Sequence, residues 1–161
     1  VTQAAIALGS NLGDRLGIMR QAVMLLEEHC LRIKGTSDVF ETPPWGARKQ
    51  PRFLNACILV ETEEAPRKLL ELLLNTEKEL GRTRRYTWGP REIDLDLIFY
   101  DDQVLKEEDL ILPHPHMHRR AFVLFPLVQI APDWRHPVLG KSVRELSESV
   151  SGDSILRITR L

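Results

Sequence analysis

The chain holds 161 residues, 43% of them hydrophobic and 28% charged, with a formal net charge of −1. That length suits one domain with a real core, and the near-neutral charge gives no bulk electrostatic argument for a nucleic-acid or acidic-membrane partner. No apolar run approaches the length of a membrane span, the opening stretch lacks the basic flank of a signal peptide, and two cysteines are too few for a disulfide framework, so Cys30 and Cys57 read as reduced, buried thiols of a cytoplasmic protein.

In chain order, Ala4 to Leu8 reads as a short buried strand and GSNLGD as the turn after it. Asp14 suits a helix N-cap, and Leu16, Met19, Val23, Leu26 and Cys30 recur at helical spacing. Gly35 to Thr42 reads as a second strand, stopped by Pro43 and Pro44, since proline donates nothing to a ladder. The loop PPWGARKQP leads to a strongly alternating strand, Phe53–Thr62. Pro66 starts a second helix through Leu69, Leu70, Leu73 and Leu80, and Gly81 ends it. A basic loop, Arg82 to Arg91, enters a strand whose centre is IDLDLIF. The order β-α-β-β-α-β predicts an α+β, ferredoxin-like antiparallel sheet with two helices on one face. A C-terminal extension follows, with a short helix at Lys141–Val150 and a last strand near Ile155–Ile158, all within a single domain spanning 1–161.

The IDLDLIF strand carries two aspartates, a residue type that strands avoid. Alternation places Ile93, Leu95, Leu97 and Phe99 on one face, and Glu92, Asp94, Asp96, Ile98 and Tyr100 on the other. Asp94 and Asp96 then stand about 7 Å apart. Mg²⁺ is held by one or two carboxylates together with substrate phosphates, and arginines such as Arg82, Arg84 and Arg91 fork onto phosphate oxygens. Paired carboxylates beside clustered arginines therefore suggest a metal meeting a polyanion. Phe53 and Asn55 project from one strand face, an aromatic plate beside an amide, which suits a flat heterocycle. His114, His116 and His118 alternate in PHPHMHRR, but the prolines break the strand and no cysteine completes a tetrahedral zinc set; Arg119 and Arg120 fit a phosphate role better. Neither a P-loop nor G-x-G-x-x-G is present, so any ATP site is of another kind.

The series A-L-G-S-N-L-G-D, T-P-P-W-G, F-L-N-A, G-R-x-R, W-G-P-R-x-I-D-L-D-L-I and L-P-H-P, from Ala7 to about Pro132, resembles the 6-hydroxymethyl-7,8-dihydropterin pyrophosphokinase (HPPK) family of folate biosynthesis. The resemblance implies an enzyme that moves pyrophosphate from ATP to the pterin hydroxymethyl, with no nucleic-acid or membrane partner. It implies two Mg²⁺ ions on Asp94 and Asp96, with ATP as co-substrate. Thr42, Pro43 and Trp45 by backbone, and Asn55 by side chain, would read the pterin edges, with its ring between Phe53 and Phe122. Glu77, Arg84, Trp88, Arg91, Leu97, His114 and Arg120 would line the ATP site, and Arg82 and Arg91 would assist transfer. Leu74, Asp109 and Ile111 stand where well-known members carry glutamine, arginine and threonine, which leaves the adenine and ribose contacts at those positions open. The competing expectations are another Mg-dependent nucleotide phosphotransferase or hydrolase, and a non-catalytic ferredoxin-like binding module.

Overall fold

The computed structural model describes residues 1–43, 51–82 and 92–161. Strand β1 (Thr2–Ser10) is an interior strand of an antiparallel sheet, paired on one side with β4 (Phe53–Thr62) and on the other with β5 (Asp94–Tyr100). With β2 (Arg32–Thr36), β3 (Asp38–Thr42) and β8 (Leu156–Arg160), the described order is β5-β1-β4-β3-β8, β2 also lying on β4. The single strand expected over Gly35–Thr42 is instead two, β2 (Arg32–Thr36) and β3 (Asp38–Thr42), which pair with successive parts of β4. Ser37 makes the break: its N–H donates to the Cys57 carbonyl and its hydroxyl accepts from the Cys57 N–H, so the chain stays tied to β4 as it turns. The last strand, β8 (Leu156–Arg160), extends the sheet beyond β3.

Helices α1 (Arg15–Glu28) and α2 (Pro66–Glu79) begin where the sequence predicts. Asp14 caps α1 by accepting from the Gly17 N–H at 3.1 Å, and Pro66 occupies the first turn of α2, where a missing N–H costs nothing. Their apolar stripes pack on one sheet face against Ile6, Leu8, Ile58 and Leu95. Two helices on one face are therefore observed, but the other face is covered as well. There α3 (Ala121–Ile130) and α4 (Val143–Glu148) enclose a second cluster with Ala5, Cys57, Ile98 and Phe99. Helix α3 was not legible: AFVLFPLVQI is apolar almost throughout and contains Pro126, so a helix buried between sheet and α4 shows no periodic stripe. α4 lies within the expected helix, opened by a Ser142–Glu145 capping box.

Two expectations are corrected. Cys30 is exposed, at φ +69° just past the end of α1, whereas Cys57 is buried and its thiol pushed well up by desolvation; both are free thiols. The alternation of β5 also fails at its far end. The register between β1 and β5 shifts at Ala5/Ile6, so that Ile6 faces Leu97 and Ala5 faces Phe99, leaving Ile98 as an extra residue. Ile98 and Phe99 both join the α3 cluster, and Tyr100 returns to the α1–α2 face.

Candidate active site

Residues directly opposite one another in an antiparallel ladder share a face. Across β5, β1, β4 and β3 this gives one row Asp94–Gly9–Asn55–Phe40, a second row Asp96–Ala7–Cys57, and the pair Phe53–Thr42 beside them. Both aspartates therefore lie on the same sheet face as Phe53 and Asn55, and two strand spacings, about 10 Å, separate Asp94 from Asn55. Between them the β1 positions are small. A Cβ built on Gly9 would already stand 3.4 Å from Asn55 Oδ1 and 3.8 Å from the Phe53 ring. The result is a trough floored by Gly9 and Ala7, with carboxylates along one side and an aromatic ring and an amide along the other. Asn55 is 5% exposed. Its Nδ2 donates to Thr42 Oγ1 at 2.7 Å, which fixes the amide and leaves Oδ1 over Gly9 as an acceptor. Phe122, in the first turn of α3, packs on the same face, with the Arg120 guanidinium 5.5 Å from its ring centre.

The carboxylate side is held from below by α2. Glu77 is 4% exposed. Its Oε2 accepts from the Leu95 N–H at 2.7 Å and meets Arg82 Nη1 at 2.8 Å; the same Nη1 lies 3.1 Å from Asp94 Oδ1. Burial pushes the Glu77 carboxyl up to about 7, with Asp94 adding to the rise, against the opposing pull of the Leu95 N–H and Arg82. Arg82 thus ties helix to strand and presents positive charge to Asp94. At the turn beneath, the Ser10 hydroxyl donates to the Glu92 carbonyl and Asn11 Nδ2 donates to the Pro51 carbonyl, fastening the GSN segment to the approaches of β5 and β4.

A groove of about 270 Å³ runs beside β5, with Leu70 of α2 on one wall, Asp109 and Ile111 on the other, and Asp96, Leu97 and His114 at its base. The His114 N–H donates to the Ile98 carbonyl, fixing this segment against β5 just after the cis Leu112–Pro113 bond. Burial and the nearby Arg120 lower the His114 imidazole to about 4, and its Nδ1 accepts from the His116 N–H at 3.3 Å. The ring is therefore neutral at ordinary pH, with Nε2 as its donor.

The structure thus brings Asp94, Asp96, Asn55, Phe53, Thr42 and Phe122 to one face, and Leu97 and His114 to the adjoining groove. Arg120 stands beside Phe122, and Pro43 is exposed at the end of β3. Glu77 holds Arg82 and Leu95 from a buried position. Trp45, Arg84, Trp88 and Arg91 lie outside the described residues. Among the described residues no three or more His, Cys, Asp or Glu side chains form a metal-binding group, so the histidine run assembles no zinc site there. Two half-buried carboxylates on a rigid strand do fit Mg²⁺, whose shell is completed by phosphate oxygens and water. Sequence reasoning passed over Gly9 and Ala7, although a strand reading A-x-A-x-G is itself a signal: every second residue is small on one face.

Comparison with known proteins bears on this arrangement. Residues 5–132 match the family described as 7,8-dihydro-6-hydroxymethylpterin-pyrophosphokinase (HPPK). A 2-amino-4-hydroxy-6-hydroxymethyldihydropteridine pyrophosphokinase of Bacillus subtilis is 47% identical over 128 residues, covering 79% of this chain and 77% of the relative. One of the same name from Aquifex aeolicus is 41% identical over 140 residues and 87% of each chain. Among solved structures, Plasmodium falciparum HPPK-DHPS superposes with a TM-score of 0.70 at 18% identity, over 92% of this chain, which spans 43% of that longer one; this likeness shows the fold. No helix among the described residues is long and apolar enough to cross a membrane.

Proposed function

The chain belongs to the HPPK family, and from that premise we propose that its trough and groove together transfer pyrophosphate from ATP to 6-hydroxymethyl-7,8-dihydropterin, giving AMP and the pterin diphosphate. The observation that carries this reading is the shared sheet face. A heterocycle seat of Phe53, Asn55 and Phe122 stands across Gly9 and Ala7 from Asp94 and Asp96, and the groove opens at Asp96. The nucleoside end of ATP occupies the groove, its triphosphate passes Asp96 and Asp94, and the pterin lies in the trough with its hydroxymethyl toward the aspartates. Asp94 and Asp96 are the residues that hold Mg²⁺, two ions with the triphosphate; bound metal supplies neutralisation of phosphate charge and polarises the β-phosphorus.

Chemically, the pterin hydroxyl oxygen forms a bond to the β-phosphorus as the bond from that phosphorus to the α-phosphate bridging oxygen breaks, and the hydroxyl proton is released. Such transfers depend on positioning and charge compensation rather than on covalent chemistry by the protein. Asn55 Oδ1 accepts from the N–H edge of the pterin, and Phe53 and Phe122 hold the ring flat. Thr42 orients Asn55, and the backbone of Thr42, Pro43 and Trp45 contributes further edge contacts. Arg82 balances phosphate charge beside Asp94, with Arg91 as its counterpart in the following segment. His114 offers a neutral donor and Leu97 an apolar surface to the nucleotide, and Arg120, Arg84 and Trp88 complete its surroundings. Glu77 acts through Arg82 and Leu95 rather than by touching ATP. The strand order β5-β1-β4-β3, with α1 and α2 on one face, supports a ferredoxin-like reading of the sheet.

The test is product identity. With MgATP and hydroxymethyl-dihydropterin the expected nucleotide product is AMP, formed only when pterin is present. Accumulation of ADP, or turnover indifferent to pterin, sinks the proposal.

A further inference from the structure

The groove beside β5 has two walls that no ladder joins. One is α2, through Leu70; the other is a hairpin of β6 (Leu105–Lys106) and β7 (Ile111–Leu112), which forms a sheet of its own. A hairpin of two residue pairs has little stability by itself. Its inner residues are anchored, since Leu110 and Leu112 are buried in the α1–α2 core and the Glu107 N–H closes the turn onto the Leu110 carbonyl. The outer rim, Glu107 to Asp109, projects from the core, and its Glu108 and Asp109 line the groove. It meets one side chain from the opposite wall. Arg67, one helical turn before Leu70, places Nη1 3.0 Å from Asp109 Oδ2, Nη2 2.9 Å from Asp109 Oδ1, and Nη2 2.6 Å from Glu107 Oε2.

We infer that Arg67 is a positioning residue for the nucleotide, a fork that spans the mouth of the groove and fixes the distance between its two walls. The inference rests on the assignment of the groove to the nucleoside end of ATP. A single exposed ion pair is weak, but a planar guanidinium gripping both oxygens of one carboxylate while touching a second is geometrically specific. The fork also occupies the Asp109 carboxylate, so that Asp109 serves the groove as an anchored wall. Leu70 and Ile111, whose spacing the fork sets, supply apolar surface for a purine. The consequence is a split: loosening the rim weakens nucleotide capture, while the trough and the aspartates, which lie on the sheet, stay in register.

Three variants test this in steady-state assays, with hydrogen exchange as a second readout. Arg67→Ala raises the KM for ATP roughly threefold to tenfold while kcat and the pterin KM stay within about twofold. Arg67→Lys, which keeps the charge but loses the fork, falls between. Amide exchange at residues 107–111 quickens in Arg67→Ala and is unchanged in α1, β1 and β4. Ile111→Trp, which fills the groove, raises the KM for ATP regardless of Arg67. If Ile111→Trp raises that KM and Arg67→Ala does not, the fork is not a positioning device, and the nucleotide assignment survives. An unchanged KM for ATP in both variants overturns the nucleotide assignment and the inference with it. Equal losses in kcat and both KM values in Arg67→Ala mean a general structural role and also overturn it.

Discussion

Glu77→Gln isolates the cost of holding a carboxylate under the active-site strand. Glu77 is 4% exposed, yet as an anion it is stabilised among the described residues by the Leu95 N–H and Arg82. Burial wins, and the carboxyl moves from 4.5 up to about 7. At about 1.4 kcal/mol per pH unit, that interval corresponds to about 3 kcal/mol of stability. Between pH 4.5 and 7 the folded protein binds a proton that the unfolded chain has released, so the Glu77 contribution to stability falls as pH rises through this window and is constant above it. Glutamine keeps an acceptor for Leu95 and mimics the protonated acid at every pH. The variant should therefore match the wild type near pH 4.5 and exceed it by up to about 3 kcal/mol above pH 7. The wild-type curve alone hides this. His114, lowered from 6.5 to about 4 by burial and Arg120, loses stability as pH falls through an overlapping window, with the opposite slope. The measurement is thus a difference: urea unfolding of both proteins in EDTA at intervals from about pH 4.5 to 8.5. A difference that does not change with pH would show that Glu77 is not desolvated as the structure has it, and the account of Arg82 and Leu95 as its partners would fall too.

Asp94→Asn and Asp96→Asn should each leave the fold intact and reduce turnover on the order of a thousandfold, since metal stabilisation of phosphate charge is worth several kcal/mol; near-normal rates at ordinary Mg²⁺ in either variant would refute the metal assignment. Asn55→Ala should weaken pterin binding by about 1–3 kcal/mol and Phe122→Ala by about 0.5–1.5 kcal/mol beyond lost burial, with little effect on an ATP analogue in calorimetry. Equal losses for both ligands would move these residues out of the pterin seat. Gly9→Ala should be nearly silent, because the added Cβ meets Asn55 Oδ1 at an ordinary 3.4 Å. Gly9→Leu should fill the trough, raising the pterin KM without a matching change in melting temperature; unchanged pterin affinity would mean that the trough is not the substrate's floor.

The parts legible in the sequence were those with a local physical cause. The caps of α1 and α2 follow from Asp14 and Pro66, and the common face of Phe53, Asn55 and Cys57 follows from strand alternation. What failed depends on contacts distant in sequence. The split at Ser37 arises from hydrogen bonds to Cys57, twenty residues away. α3 hides because its residues are apolar almost throughout and Pro126 sits inside it, so no periodic stripe marks it. Glu77, placed in the ATP site by the resemblance, lies under β5, where it meets the Leu95 N–H and Arg82. Nothing in the sequence pairs Arg67 with Asp109, forty-two residues on, and the fork appears only when the hairpin folds back over α2.

The two aspartates of β5 follow from how far the second apolar cluster reaches along the sheet. That cluster covers Ala5 on β1, Cys57 and the edge of Leu59 on β4, and Ile98 and Phe99 on β5, with Trp134 stacked on Phe99 at 5.0 Å. It stops short of Gly9, Asn55 and Asp94. α3 begins at Ala121, so Phe122 stands at the boundary between the covered and uncovered halves. The same face of one strand therefore changes character along its length: carboxylates at Asp94 and Asp96, where the sheet is open, then apolar side chains beneath α3. The bulge opposite Ala5/Ile6 sharpens the change by adding Ile98 to Phe99 on the apolar side. A strand with one uniformly wet face would carry aspartates without a site, and a strand buried throughout would exclude them. This one passes from open to covered within seven residues, which places two carboxylates beside a dry apolar surface on a single rigid element.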